Sequence, residues 1–181
     1  QKIKKANIMK GAESNPSTTT KFLNTSIVRN TIESITMTND NIVPTTAIGS
    51  FDISNNNDGS IMMWYTDTNS NDLYEVYIGS ESGITTFPDD SKYLFSYLSN
   101  VTSIDLKFTN VTNTSSMINM FYQDTKLKEI DLSSFKTSSL LYFVSMFEGC
   151  SSLVTLDLSG FDTGRITNFS NLFKNCTNLK E

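Results

Sequence analysis

Over its second half the chain repeats itself every 26 residues. Phe121, Phe147 and Phe173 keep that step, as do Leu127, Leu153 and Leu179. Asp105, Asp131 and Asp157 follow it too, each with a leucine one residue behind: Leu106, Leu132 and Leu158. The only two cysteines, Cys150 and Cys176, are also 26 apart. One such unit is too small to cover its own apolar face, so successive units must stack and equivalent residues must form columns.

Two complete copies run over 120–145 and 146–171. Leu127, Ile130 and Leu132, matched by Leu153, Leu156 and Leu158, have the spacing of inward residues in a strand. Ser133 to Thr137 and Ser159 to Thr163 read as turns. Phe143, Met146 and Phe147 are then spaced i, i+3, i+4, as are Met117, Met120 and Phe121, and Phe169, Leu172 and Phe173. That spacing predicts a short amphipathic helix of about two turns, with Gly149 at its C-terminal end. A degenerate first copy starts near Leu94 and supplies Val101, Ile104, Asp105 and Leu106. There Phe108 falls one place early and Thr109 stands where Phe135 stands later. A period in the twenties with strand-spaced leucines predicts an α/β fold: a leucine-rich-repeat solenoid, with a parallel strand layer plus short helices.

Three segments are expected. Residues 1–26, rich in Lys, Ser, Thr and Asn, read as a poorly ordered lead or linker. Residues 27–91 read as an antiparallel β-rich N-terminal cap, with a buried strand at Ile61 to Tyr65 and an alternating one at Leu73 to Ile78. Turn signals lie at Asn55 to Gly59 and Asn69 to Asp72. Residues 92–181 are the repeats. Leu179, Lys180 and Glu181 match Leu127, Lys128 and Glu129, so the array is expected to be truncated, with a frayed C-terminal end that self-associates through its uncovered apolar face.

Ser, Thr and Asn number 67 of the 181 residues, yet 38% of the chain is apolar, too much for wholesale disorder. The net charge of −5 is unevenly spread: residues 30–91 carry ten carboxylates and no Lys or Arg. The only basic run is the short N-terminal one, which disfavours nucleic acid as a partner. No apolar stretch approaches the ~18–20 residues of a membrane helix, so no insertion in this segment is expected. The chain has no histidine, the commonest general base and metal ligand. No catalytic residue, metal or cofactor is expected. Asp67, Asn69 and Asn71 imitate a calcium loop, but Asp72 and Ile78 occupy its glycine and glutamate positions, leaving an Asn/Asp turn. Stacked neighbours sit too far apart for a disulfide, so Cys150 and Cys176 are expected as buried thiols. Trp64, Tyr65, Tyr74 and Tyr77 fit core anchors better than an exposed aromatic patch.

Residues 130–135, 145–153 and 156–163 resemble the repeat of the BspA-like leucine-rich-repeat surface proteins of bacteria. Ile130-Asp131-Leu132-Ser133-Ser134-Phe135 and Gly149-Cys150-Ser151-Ser152-Leu153 match it almost residue by residue, while Asp124 stands where the second unit would have its cysteine. The resemblance covers about 92–181. It implies a cell-surface or secreted protein used in adhesion, and a host or matrix protein as the ligand.

The open strand face is the expected binding surface, formed by Asp105, Lys128, Glu129, Asp131, Ser133, Thr155, Asp157 and Ser159. The Asp column is its sharpest feature. Like charges one strand apart repel by about 1 kcal/mol in water, and Lys128 with nearby hydroxyls is expected to offset this. A structural spacer with no ligand of its own is the alternative.

Overall fold

The computed structural model describes residues 7–181. It is mostly β, built on a mixed sheet, and this overturns the expected α/β leucine-rich-repeat solenoid with short helices. Among the described residues there is no α-helix, only two short 3₁₀ turns at Phe22–Asn24 and Arg29–Thr31. The strands are β1 (Ile32–Thr38), β2 (Gly49–Asp52), β3 (Ile61–Thr66), β4 (Tyr74–Ser80), β5 (Thr85–Thr86), β6 (Ser103–Asp105), β7 (Thr109–Asn110) and β8 (Glu129–Asp131). Six of them form one mixed sheet in the order β2-β3-β4-β1-β6-β8, and β5 pairs with β7. β2, β3 and β4 are antiparallel, as a chain rich in turn residues suggests. β1, however, lies parallel to both β4 and β6. The expected antiparallel cap is therefore not a separate unit: its first strand opens the parallel ladder that β6 and β8 continue.

The segments expected to be helices are chains of tight turns. Met120 N–H bonds to Met117 O, and Tyr122 N–H to Asn119 O, as in turns closed by i to i+3 bonds. The alternate N–H groups leave the unit. Asn119, Phe121 and Gln123 donate to Val144 O, Met146 O and Glu148 O at 2.8–3.1 Å. Ser145, Phe147 and Gly149 do the same to Ser170, Leu172 and Lys174. An α-helix would keep these donors for itself. Asn119, Gln123 and Ser145 have φ of 54°, 60° and 57°, left-handed values that interrupt a helix every four residues. Tight turns and helices both place i, i+3 and i+4 on one side, so the spacing alone predicts a helix. Gly149 is no helix cap. It holds φ 84°, and a Cβ there would lie 2.5 Å from the Gln123 amide nitrogen.

The columns are real. Phe95, Phe121, Phe147 and Phe173 stack with ring centroids 5.8, 5.4 and 6.1 Å apart and planes within 17°. Met117, Met120, Leu127, Leu140 and Leu153 fill the interior around them. Cys150 is buried and Cys176 half-buried, both free, with their thiols donating to Phe121 O and Phe147 O. Burial pushes both thiols above their ordinary pKa.

The lead expected over 1–26 is packed from Met9 onward, because its apolar residues find a surface to cover. Met9, Phe22, Leu23 and Ile27 are buried. Arg29 is fully buried, against Phe22 and the carbonyls of Leu94 and Ser96. Its partner Glu13 lies 2.9 Å away. At the other end the expected fraying is not seen, since Lys180 N–H bonds to Val154 O and Leu156 N–H to Glu181 O. Phe169 and Phe173 remain 51% and 42% exposed.

Truncating Phe147, held between two copies of itself, is expected to cost about 3–5 kcal/mol as a Phe147→Ala cavity. Half-buried Phe51→Ala is expected to cost clearly less; equal urea midpoints for the two variants would contradict the column's central role. Asp124 occupies the position that Cys150 and Cys176 hold in the next two units. It is fully buried, Oδ1 accepts Leu98 N–H at 2.9 Å, and Oδ2 has no partner. Burial drives its pKa well up, against smaller downward pulls from that N–H and from Arg29. A raised folded-state carboxyl favours the folded chain most at low pH and loses that advantage as pH rises above the unfolded value of about 3.9. Asp124→Asn keeps the acceptor and is expected to be more stable than the natural chain at pH 7. The gain comes from removing a charge that burial disfavours, and it vanishes toward pH 3 in urea titrations.

Candidate functional site: an acidic groove on the strand face

β1, β6 and β8 alternate between the two faces of the sheet. Ile35 and Ile104 point inward and are buried, with half-buried Ile130 beside them in register. Thr36, Asp105 and Asp131 share the neighbouring row on the outer face, with Ser34, Ser103 and Glu129 in the next one. An open groove of about 610 Å³ lies on this face, lined by Thr36, Ser103, Asp105, Glu129, Asp131, Ser133 and Asp157.

Five of the eight residues expected on the strand face therefore meet: Asp105, Glu129, Asp131, Ser133 and Asp157. Lys128, Thr155 and Ser159 are exposed but do not line the groove. The sequence reading missed Thr36 and Ser103. Thr36 alternates with buried Ile35 and Met37, which marks it as outward, but nothing local shows that β1 joins the repeat ladder. In the other direction the Thr36 row runs on to Tyr77 and Trp64. Those two rings stack at 6.0 Å, and Trp64 is only 5% exposed, so this pair anchors the sheet.

Each Asp of the column turns back on its own chain. Asp105, Asp131 and Asp157 accept the N–H of Lys107, Ser133 and Ser159 at 3.1, 2.9 and 2.9 Å. Asp131 also accepts the Ser133 hydroxyl. The cation reaching the column is Lys107, whose Nζ lies 3.7 Å from Asp131 Oδ2, in place of the expected Lys128. Hydrogen bonds from Ser133, with a smaller pull from Lys107, hold Asp131 below the usual carboxylate range. Ser159 does the same for Asp157. Both stay ionised at neutral pH, in a groove that holds four carboxylates and has Lys107 at its edge.

Such a surface can hold a positively charged partner by hydrogen bonds and Coulomb attraction. Among the described residues no three His, Cys, Asp or Glu side chains converge as metal ligands. Asp67 accepts Asn71 N–H and Asp72 N–H, a plain turn. No described helix is long and apolar enough to cross a membrane.

Fold and site define a β-rich protein of stacked 26-residue units with an acidic groove on its sheet. The chain belongs to the family described as Mycoplasma protein of unknown function, DUF285, whose model matches residues 89–181. No curated protein and no solved structure matches the chain significantly.

Asp131→Asn is expected to lower stability at pH 7 by no more than about 1 kcal/mol, since the pair with Lys107 is partly solvated. A depressed folded-state carboxyl stabilises above the unfolded value of about 3.9 and loses this as pH falls through its folded value. The difference between variant and natural chain should therefore close below pH 3 in urea titrations.

Proposed function

We propose that this chain is a cell-surface or secreted binding protein that holds a protein ligand in the acidic groove, in the manner of the BspA-like bacterial surface proteins. The observation that carries the reading is the groove itself: a row of carboxylates on an open sheet face, joined by Thr36 and Ser103 from outside the predicted set. Membership of the DUF285 family over 89–181 supports it, as does the repeat resemblance to surface adhesins. The ligand class that fits is a protein presenting Lys or Arg side chains, such as a host or matrix protein. The reading assigns no catalytic step to any residue.

An array of matrix and epithelial proteins should yield a saturable ligand whose affinity falls with added salt. The triple variant Asp105→Asn, Asp131→Asn, Asp157→Asn should weaken it at least about tenfold, the equivalent of 1.4 kcal/mol. Unchanged affinity would remove the groove as the binding surface. Absence of any saturable ligand would favour a structural spacer.

A further inference from the structure

The first repeat unit has no predecessor in the stack, yet its edge is not open. Successive units are joined through carbonyls at fixed positions: Met120, Met146 and Leu172 accept from Phe95, Phe121 and Phe147, and Tyr122, Glu148 and Lys174 from Tyr97, Gln123 and Gly149. One step of 26 back, the equivalent acceptors are Leu94 O and Ser96 O. Both are taken by Arg29, whose Nη1 lies 3.4 and 2.7 Å away and also reaches Tyr93 O at 3.5 Å. The phenylalanine column is extended in the same way, by Phe22 stacked on Phe95 at 6.2 Å and 30°. Leu23 and Asn24 beside it adopt φ of 51° and 57°, the left-handed values that recur in each unit. Glu13 clasps the arrangement, accepting Asn24 N–H through Oε1 and pairing with Arg29 Nη2 through Oε2.

We infer that residues 11–31 form a strap that stands in for a missing repeat unit and opens separately from the stack, kept shut by Glu13 and Arg29. Its backbone hydrogen bonds close on themselves: Phe22 N–H to Ile27 O, Arg29 N–H to Thr20 O, Asn30 N–H to Thr18 O. Among the described residues, no backbone–backbone bond joins residues 11–31 to the repeats, whereas each pair of units shares a ladder of them. The strap is fastened by side chains alone: Arg29, Asn100 bonded to Asn30 O, and the buried Phe22, Leu23 and Ile27. Shut, it shields Phe95 and two carbonyl acceptors that would otherwise form an edge able to pair with other chains.

Hydrogen exchange of the full chain tests this. In the natural protein the amides of Phe22, Thr25, Arg29 and Asn30 should exchange faster than those of Phe121 and Phe147. Glu13→Gln, which keeps the side chain's shape, should raise strap exchange at least about tenfold while residues 117–150 are unaffected. Arg29→Met should do so more strongly, and Arg29→Lys, which retains charge without the planar fork, should fall between. Strap and stack amides accelerating together in Glu13→Gln would overturn separate opening. Strap exchange unchanged in both Glu13→Gln and Arg29→Met would overturn the role of the clasp.

Discussion

Every alternate peptide N–H in the turn segments 119–123 and 145–149 leaves its own turn and bonds to a carbonyl 25 residues on. The rest of the structure follows from that ladder. It fixes the distance between units, which sets the phenylalanine rings at 5.4–6.1 Å. It demands left-handed residues at regular places, filled by Asn119, Asn171 and Asn175 but also by Tyr93, Tyr97, Gln123 and Ser145, with Gly149 where the Gln123 side chain comes too close for a Cβ. It also leaves unpaired carbonyls at the first edge, and a buried backbone acceptor without a donor is costly. Arg29 meets that demand. Burial lowers its pKa and the Glu13 carboxylate opposes the shift, so the guanidinium stays a cation with a donor fork that a lysine could not reproduce.

The sequence made the period, the columns and most of the groove legible, because a repeat converts sequence spacing directly into neighbours in space. Asp105, Asp131 and Asp157 could be placed on one face without coordinates. The helices could not be excluded, since Phe143, Met146 and Phe147 have the same spacing in tight turns as in a helix, and what separates the two is the sign of φ at Ser145 and Gly149. Glycine at 149 was a visible hint, but it fits a helix end equally well. Thr36 was hidden for another reason: its place beside Asp105 depends on a parallel pairing between residues 69 positions apart, which no local pattern encodes. The strap's polar composition resembles a linker, while its order comes from three or four apolar side chains and one arginine.

The abundance of Ser, Thr and Asn has a related cause. Asp and Asn side chains repeatedly accept the N–H two residues on: Asp52 from Ser54, Asn110 from Thr112, Asp162 from Gly164, Asn168 from Ser170. Ser134 and Ser152 hydroxyls cross to carbonyls of the preceding unit, at Leu106 and Thr125. With so little regular secondary structure, side chains supply the partners that helices and long strands would otherwise provide. Polar composition here is the means by which a turn-rich core satisfies its backbone.

This gives the Asp column two duties that a single substitution must separate. Through Oδ1 each Asp closes its own turn, which is structural. Each also lines the groove and brings a carboxylate to it, which is where a ligand would meet it. Alanine would remove both and mix a loosened turn with a lost contact. Asparagine retains the Oδ1 acceptor and removes only the charge, so its effect on affinity belongs to the groove. Asp124 offers the internal comparison: it too accepts an N–H through Oδ1, yet it is sealed from solvent and faces Arg29, so removing its charge should act on stability alone. A ligand that senses loss of charge at Asp131 and ignores it at Asp124 is one bound on the strand face.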